Sequence, residues 1–276
     1  MSILVDSHVN LHATQFEEDV AGIIERARAK GVTYMLTISD KIASTDAIKA
    51  ISIQDKHIWR SVGAHPHYAI GHQDLTSDFL VDLAADDDVV GIGECGLDYY
   101  YNHSPKEDQQ IVFRKHVEAA QETGLPLIIH TRDADDDMLR LLTEAMKERS
   151  FTPLLHCYTS GLPLAEAVME MGGYIAFSGI ITFKNAEDVR SVAVKMPLER
   201  IIIETDCPYL APVPMRGRVN EPSYLPHVAT KLGELLGLSF DEVAALTTDN
   251  FFRLFPRAAR DLDAEQADPG QGEAPK

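Results

Sequence analysis

The segment Val89–Asp98, VVGIGECGLD, decides the fold class of this chain. It is a short apolar run rich in β-branched residues, which is typical of a strand buried on both faces. Such strands belong to parallel sheets that helices cover. The run contains one carboxylate, that of Glu94, and its apolar pattern is interrupted at Gly96. Because an acid at the end of a buried strand has no packing role, it indicates a functional site.

Four other apolar strands end in the same kind of polar residue. The predicted strands lead into histidines or carboxylates as follows: Ile3–Val5 into Asp6 and His8, Leu127–Ile129 into His130, Leu154–Leu155 into His156, and Ile201–Ile203 into Glu204 and Asp206. Predicted strands and helices alternate eight times along the chain. This pattern favours an α/β fold, the (β/α)8 TIM barrel, whose active site lies at the C-terminal ends of the strands.

Two further helices are predicted after the eighth unit, at about Leu225–Leu236 and Phe240–Leu254. Ser239 and Glu242 have the spacing of a capping box at the start of the second one. A doubly wound open sheet is the alternative fold, but its GxGxxG fingerprint followed by a helix is absent. We therefore expect one barrel domain over residues 1–258 and an acidic disordered tail over residues 259–276, which lacks apolar periodicity.

Composition excludes some functions. The 276 residues are 45% hydrophobic, so the chain can bury one large core. Its net charge of −18 argues against nucleic-acid binding through a basic surface, although a phosphate substrate could still bind through metal ions. No basic leader with an apolar core and no long apolar run occurs, so we expect a cytoplasmic protein without membrane contact. No obligate protein partner is implied.

Five residues of metal-ligand type should converge at the barrel mouth: His8, Glu94, His130, His156 and Asp206. A single histidine at a strand end is more often a hydrogen-bonded loop anchor. Five such groups change this interpretation, because carboxylates packed closely would repel one another unless cations stabilised them. The pattern predicts a divalent metal site for one or two ions, and Glu94 is central enough to bridge two.

Each of the three cysteines follows a proposed ligand directly: Cys95, Cys157 and Cys207. Neighbouring side chains on a strand point to opposite faces, so beside an inward ligand each cysteine should point outward, under the helices. We interpret them as small buried residues. Their odd number and the absence of a CxxC spacing disfavour a disulfide framework.

Several segments together resemble the TatD family of metal-dependent deoxyribonucleases, within the amidohydrolase superfamily of TIM barrels. They are DSHVNLHA, GAHPHYA, VGIGECGLDYYY, LPLIIHTRDAD, LLHCYTSG, GYIAFSGIITFKNA, IIETDCPYLAP and RGRVNEP. The resemblance spans about Ile3 to Phe255. It implies a hydrolase that cleaves phosphodiester (ester) bonds of DNA or a small phosphodiester with divalent metal, and it implies the same five ligands.

The first strand departs from the His-x-His-x-Asp pattern of that family. The chain reads His8-Val9-Asn10-Leu11-His12, so an amide stands where the second imidazole is usual. Asn10 would be a weak ligand at best, which favours Mg²⁺ or Mn²⁺ and leaves Zn²⁺ possible. His12 is expected to be a solvent-side loop residue, with replacement of the lost ligand as the alternative.

Two carboxylates are the candidate catalytic residues. In the expected reaction water attacks phosphorus, Asp206 accepts its proton, and a protonated side chain or water donates a proton to the leaving oxygen while Glu94 holds the ions. Glu204 points the same way as Asp206 and could orient a histidine, or be purely structural.

Four other residues are candidate substrate contacts. Arg132 lies two residues after His130, and Arg216 and Arg218 lie in the eighth loop, where pinning of the loop is an equal alternative. His67, in the third loop, is the fourth, with loop packing as its alternative.

Three other functions stay open at this point. One is a hydrolase of carbon–nitrogen bonds, although many of those carry a lysine at the fourth strand, where this chain has Glu94. Another is a deacylase acting on aminoacyl esters, or a small phosphodiesterase, which would suit the acidic composition. The third is a non-enzymatic protein with a decayed site, suggested by Asn10.

Overall fold

Eight parallel strands form the centre of the molecule. The computed structural model of the protein describes residues 2–258, so the predicted tail, residues 259–276, lies outside the described residues. The strands are β1 Leu4–Val9, β2 Val32–Thr37, β3 Ile58–Val62, β4 Val89–Asp98, β5 Leu127–Arg132, β6 Pro153–Leu155, β7 Tyr174–Phe177 and β8 Ile201–Ile203. They are hydrogen-bonded in chain order from β1 to β8. A parallel bridge between Val9 and Cys207 brings the end of β8 back to β1.

Helices follow the strands and cover the outside of this ring. They are α1 Val20–Ala29, α2 Thr45–Ser52, α3 Ser77–Leu83, α4 Lys106–Thr123, α5 Asp135–Glu148, α6 Leu162–Glu170, α7 Glu187–Ala193, α8 Leu225–Leu236 and α9 Phe240–Leu254. The predicted TIM barrel with two extra C-terminal helices is therefore confirmed. The predicted capping box is also present, since Ser239 and Glu242 each accept a hydrogen bond from the other's backbone N–H.

The last helix closes the lower end of the barrel. Val90 and Ile128, which precede the polar residues on their strands, pack in one apolar cluster with Phe251 of α9 and with Phe255, which directly follows that helix. Most other apolar side chains form a second layer between the strands and the surrounding helices. Apolar side chains therefore fill the barrel at the N-terminal ends of its strands. The polar residues lie at the opposite, C-terminal ends, where barrel enzymes carry their active sites.

The residues before α4 look like a capping box in the sequence but do not form one. The order Ser104-Pro105-Lys106-Glu107 suggests Ser104 as the N-cap, with Glu107 completing a capping box. In the structure the cap position is Pro105, and the helix begins at Lys106. The Ser104 hydroxyl instead donates to the carbonyl of His67 and accepts from the N–H of Ile70. The serine therefore holds the third loop.

The three cysteines are free thiols, two of them buried. Cys95 and Cys207 belong to the layer between strands and helices, as the alternation of strand side chains predicts. The prediction of burial is wrong for Cys157, which is partly exposed and whose Sγ lies 3.1 Å from the hydroxyl oxygen of Ser178. Within residues 2–258, no helix has the length and apolar character needed to cross a membrane.

Candidate metal centre

The Glu94 carboxylate lies at the centre of a group of histidines at the barrel mouth. Its Oε1 is 2.7 Å from Nε2 of His156 and 3.3 Å from Nδ1 of His130, and its Oε2 is 3.3 Å from Nε2 of His8. The same His8 nitrogen lies 3.7 Å from Oδ1 of Asp206. The structure thus brings all five predicted ligands together, from β1, β4, β5 and the segments that follow β6 and β8.

The cluster divides into two groups that share one carboxylate. His8, Glu94 and His156 form one set of candidate ligands, and His65, Glu94 and His130 form the other; within each set the ligand atoms lie within 4.8 Å of one another. His65 was missed as a ligand from the sequence. Its signal was the strand-end pattern itself, because His65 comes two residues after the third predicted strand, Trp59–Gly63.

A buried histidine of α4 holds the third loop in place. Nε2 of His116 accepts a hydrogen bond from the N–H of Ala64 at 2.9 Å, and its Nδ1 donates to the carbonyl of Val112 at 2.8 Å. Burial lowers the pKa of His116 to about 4, so the ring is neutral at physiological pH. Since Ala64 directly precedes His65, this neutral imidazole fixes the backbone that carries a candidate ligand.

Two outer carboxylates orient the histidines that face Glu94. Asp98 Oδ2 lies 3.1 Å from Nε2 of His130, the nitrogen opposite the one that faces Glu94. Glu204 Oε1 lies 3.3 Å from Nδ1 of His156 and accepts the N–H of Cys157 at 2.6 Å. A carboxylate behind an imidazole is the usual support of a metal-binding histidine. Glu204 was anticipated in this position, whereas Asp98 was not.

The electrostatics of the cluster favour a charged carboxylate among imidazoles. Burial by itself would raise the pKa of Glu94, but His156, His65 and His8 hold that pKa well below its usual range. Burial would lower the pKa of His156, but Glu94 raises it well above the ordinary value. For His65 burial dominates and lowers the pKa well below that of a free imidazole. Burial raises the pKa of Asp206 to about 6.

These residues fit divalent metal ions. Both ring nitrogens of His8 are buried, and apart from the ionic contacts of Nε2 with Glu94 and Asp206 neither forms a hydrogen bond within the described part of the chain. An unpaired buried polar atom costs about 1–3 kcal/mol, so its presence indicates a ligand that supplies the missing partner. Imidazole and carboxylate are the protein donors of Zn²⁺, Mn²⁺ and related ions. Glu94 is placed so that both groups of histidines can share it.

Asn10 and His12 form contacts outside this cluster. The Asn10 side-chain amide donates to the carbonyl of Cys207 at 3.0 Å, which ties the end of β1 to the segment after β8. Nε2 of His12 lies 3.0 Å from Oδ1 of Asp40, and its side chain is only 12% exposed. The expectation of a solvent-side His12 is therefore wrong, because the carboxylate of Asp40 draws the ring inward. Ligation by the Asn10 oxygen stays a prediction.

The four candidate substrate contacts lie in different surroundings. His67 borders the cluster, since its Nε2 lies 2.9 Å from Oδ2 of Asp98. The Arg132 guanidinium lies over the rings of Tyr100 and Tyr101.

Arg216 and Arg218 are exposed in the eighth loop. The Arg216 guanidinium lies over the ring of Phe183 and donates to the carbonyl of Ala211, which is the arrangement of a pinned loop. Among residues 2–258, no hydrogen bond or ion pair joins Arg216 or Arg218 to the histidine cluster.

The fold and the site together define a class of protein. An eight-stranded barrel that gathers imidazoles and carboxylates at the C-terminal ends of its strands has the architecture of metal-dependent hydrolases. Comparison with known proteins identifies the family within this class. Residues 5–256 match the family described as TatD related DNase. The chain belongs to this TatD family, and it is accordingly a metal-dependent hydrolase.

Relatives along the whole barrel agree with this assignment. The chain is 40% identical to YabD of Bacillus subtilis, an uncharacterized metal-dependent hydrolase, over 92% of this chain and 99% of that one. It is 33% identical to a protein of Escherichia fergusonii named 3'-5' ssDNA/RNA exonuclease TatD, over 91% of this chain and 98% of the relative. The crystal structure of the TatD homologue YJJV from Escherichia coli has a TM-score of 0.81 at 25% identity, covering 92% and 98% of the two chains.

Proposed function

We propose that this protein hydrolyses phosphodiester bonds of single-stranded nucleic acid with the help of one or two divalent metal ions. The observation that carries the proposal is the sharing of Glu94 by two groups of histidines. A carboxylate between two ions is the arrangement of two-metal sites that cleave phosphate esters. The activity in the name of the Escherichia fergusonii relative, on ssDNA and RNA, supports the same substrate class.

The residues that would hold the ions are those of the two groups. His8 and His156 would serve one ion and His65 and His130 the other, with Glu94 between them and Asp206 beside His8. When bound, divalent ions supply Lewis acidity, which stabilises negative charge on phosphoryl oxygens. With four imidazoles, the donor set is richer in nitrogen than the sequence analysis assumed, which favours Mn²⁺ or Zn²⁺ over Mg²⁺.

The protein's own side chains account for the proton transfer and for binding. Asp206, whose Oδ1 lies 3.7 Å from Nε2 of His8, is the carboxylate placed to accept a proton from the attacking water, and it can return that proton to the leaving oxygen as the P–O bond breaks. Asp98 and Glu204 keep the rings of His130 and His156 oriented toward Glu94. Arg132 would contact a phosphate, because its guanidinium lies on the same face of β5 as His130.

A small ester is the second candidate substrate. The net charge of −18 disfavours long, backbone-dominated contact with DNA and suits an aminoacyl ester or a short phosphodiester. Both candidates would use the same carboxylate and histidines. They differ in the atom attacked, which is phosphorus in one case and a carbonyl carbon in the other.

A panel of substrates tests the proposal. Wild-type protein and Glu94→Gln are assayed with single-stranded and duplex oligonucleotides, an aminoacyl ester and a dihydropyrimidine, each with Mg²⁺, Mn²⁺ and Zn²⁺. We expect metal-dependent cleavage of the single strand by the wild type alone. Turnover of the aminoacyl ester or the dihydropyrimidine, with intact oligonucleotides under all three metals, would refute phosphodiester hydrolysis. Equal activity of Glu94→Gln would trace the cleavage to a contaminant.

A further inference from the structure

Two adjacent tyrosines beside the metal centre are exposed. Tyr100 is 56% exposed and Tyr101 is 50% exposed. The Arg132 guanidinium lies 4.0 Å from the ring centre of Tyr100 and 4.7 Å from that of Tyr101. We call these three residues the aromatic shelf. Half-exposed aromatic rings contribute little to a core, and rings grouped next to an active site are a common form of ligand surface.

The shelf is attached to the metal centre through one buried carboxylate. Oδ1 of Asp98 accepts the backbone N–H groups of Tyr100 at 3.0 Å and of Tyr101 at 2.9 Å. Its other oxygen contacts the rings of His67 and His130. A single fully buried side chain therefore fixes the tyrosine backbone at one oxygen and a candidate ligand at the other. This arrangement holds the shelf at a set distance from the site of hydrolysis.

Strand register places the third member of the shelf in the same mouth. Arg132 pairs with Asp98 across β4 and β5, and it follows His130 by two residues, so the two side chains share one face of the strand. No carboxylate of the described residues lies within ion-pair distance of its guanidinium. Arg132 therefore presents a positive charge without an ion-pair partner next to exposed rings, in a pocket whose lining also includes Asp133, Asp135, Asp136 and Asp137.

A nucleotide meets both features of this surface, since its phosphate matches the guanidinium and its base matches the rings. Proteins that bind single strands use aromatic rings and arginine planes as platforms on which bases stack. A strongly acidic chain can form few favourable contacts with the phosphates of a nucleic acid. Stacking of bases on aromatic rings would then supply much of its affinity for a single strand. Bases within a duplex are already stacked on their neighbours and cannot reach such a platform without being extruded.

We propose that the aromatic shelf is a nucleobase-stacking subsite that binds an unpaired base next to the phosphate held at the metal centre. The proposal rests on the proposed function and deepens it, because it assigns the substrate to strands with an unstacked base near the bond that is cleaved. Arg132 contacts a phosphate of that strand, and Asp98 positions the tyrosines relative to His130.

Equilibrium binding tests the subsite independently of turnover. The probes are a phosphorothioate hexathymidylate, chosen to resist cleavage, and an abasic phosphorothioate strand of the same length and charge, both fluorescently labelled and titrated with protein in Mn²⁺. The proteins are the wild type, the double variant Tyr100→Leu/Tyr101→Leu, the double variant with Phe at both positions, and Phe79→Leu. Phe79 is a matched control because it is a 44% exposed aromatic residue on α3. The substitutions retain the backbone N–H groups that bind Asp98.

The wild type should bind the thymidine strand about tenfold more tightly than the abasic strand, as stacking of one base provides. This ratio should fall to about one in the Leu variant and persist in the Phe variant and in Phe79→Leu. Equal binding of the two strands by the wild type, binding of neither, or an unchanged ratio in the Leu variant would overturn the subsite.

The proposed function is judged separately, by cleavage of unmodified hexathymidylate. Cleavage without base-dependent binding refutes the subsite and leaves the nuclease. Base-dependent binding without cleavage under any metal refutes the nuclease and leaves the subsite.

Discussion

Acidification should destabilise this protein through His116, the buried histidine that holds the Ala64 backbone. The folded protein lowers the pKa of this ring to about 4, whereas an imidazole in the unfolded chain titrates near 6.5. Below about pH 6.5 the unfolded chain therefore binds a proton at His116, whereas the folded protein does not bind this proton until the pH approaches 4. The stabilisation is fully present above about pH 6.5 and is lost progressively as the pH falls toward 4.

The magnitude follows from the two pKa values. Each pH unit between them changes the free energy of unfolding by about 1.4 kcal/mol, so a change from about pH 7.5 to about pH 5 costs about 2 kcal/mol through this ring alone. His116 has no exposed surface, so solvent does not screen the effect. A loss of this size is a substantial fraction of the stability of a typical domain.

Urea denaturation at a series of pH values measures this loss, with His116→Gln as the control. The glutamine oxygen can still accept the N–H of Ala64, but the side chain does not titrate. Contributions from Asp206 and the other ionisable groups are common to both proteins and cancel in the comparison. We expect the stability curve of the wild type to fall about 2 kcal/mol further than that of the variant between the two pH values. Parallel curves would refute the reasoning, because they would mean that His116 titrates normally in the folded state.

Three further predictions concern the metal centre and the tail. Glu94→Gln should lower turnover at least about a hundredfold without unfolding the protein, because it removes the charge that the histidine groups share. Activity above about a tenth of wild type, with an unchanged circular dichroism spectrum, would contradict a bridging role. Asn10→His should tighten Zn²⁺ binding and leave Mg²⁺ binding nearly unchanged, which calorimetric titration can measure. Equal Zn²⁺ affinities of the wild type and the variant would place Asn10 outside the coordination sphere. Deleting residues 259–276 should change the melting temperature by only about one degree, because that stretch lacks an apolar pattern for packing, and a larger decrease would show that it docks.

Much of the site could be predicted from local sequence, because in a barrel the order of the strands along the chain determines where each strand end lies. Each strand runs parallel to the next, so a residue at a strand end has a known place at the mouth whatever its neighbours are. His8, Glu94, His130, His156 and Asp206 were identified on this basis, and the structure places them in one cluster. The alternation of side chains likewise predicted that Cys95 and Cys207 face the helices.

Contacts between distant parts of the chain could not be predicted in the same way. The sequence shows Ser104 and Glu107 at capping-box spacing, but the hydroxyl of Ser104 bonds to His67 and Ile70, which no local pattern indicates. Asp98 likewise ends the segment Val89–Asp98, but the sequence does not indicate its partners. Only the folded chain brings it to His130 on the next strand and to His67 in the third loop.

The sequence by itself therefore determined the strand order, the end of the barrel that carries the chemistry and the residue types that converge there. Periodicity and strand ends are local properties, and burial of the apolar faces enforces them. The tertiary structure alone decided that His116 fixes the loop that carries His65, and that Tyr100, Tyr101 and Arg132 form one surface. These outcomes depend on which polar atoms find partners when separate loops pack together, and pairing across loops leaves no period in the sequence.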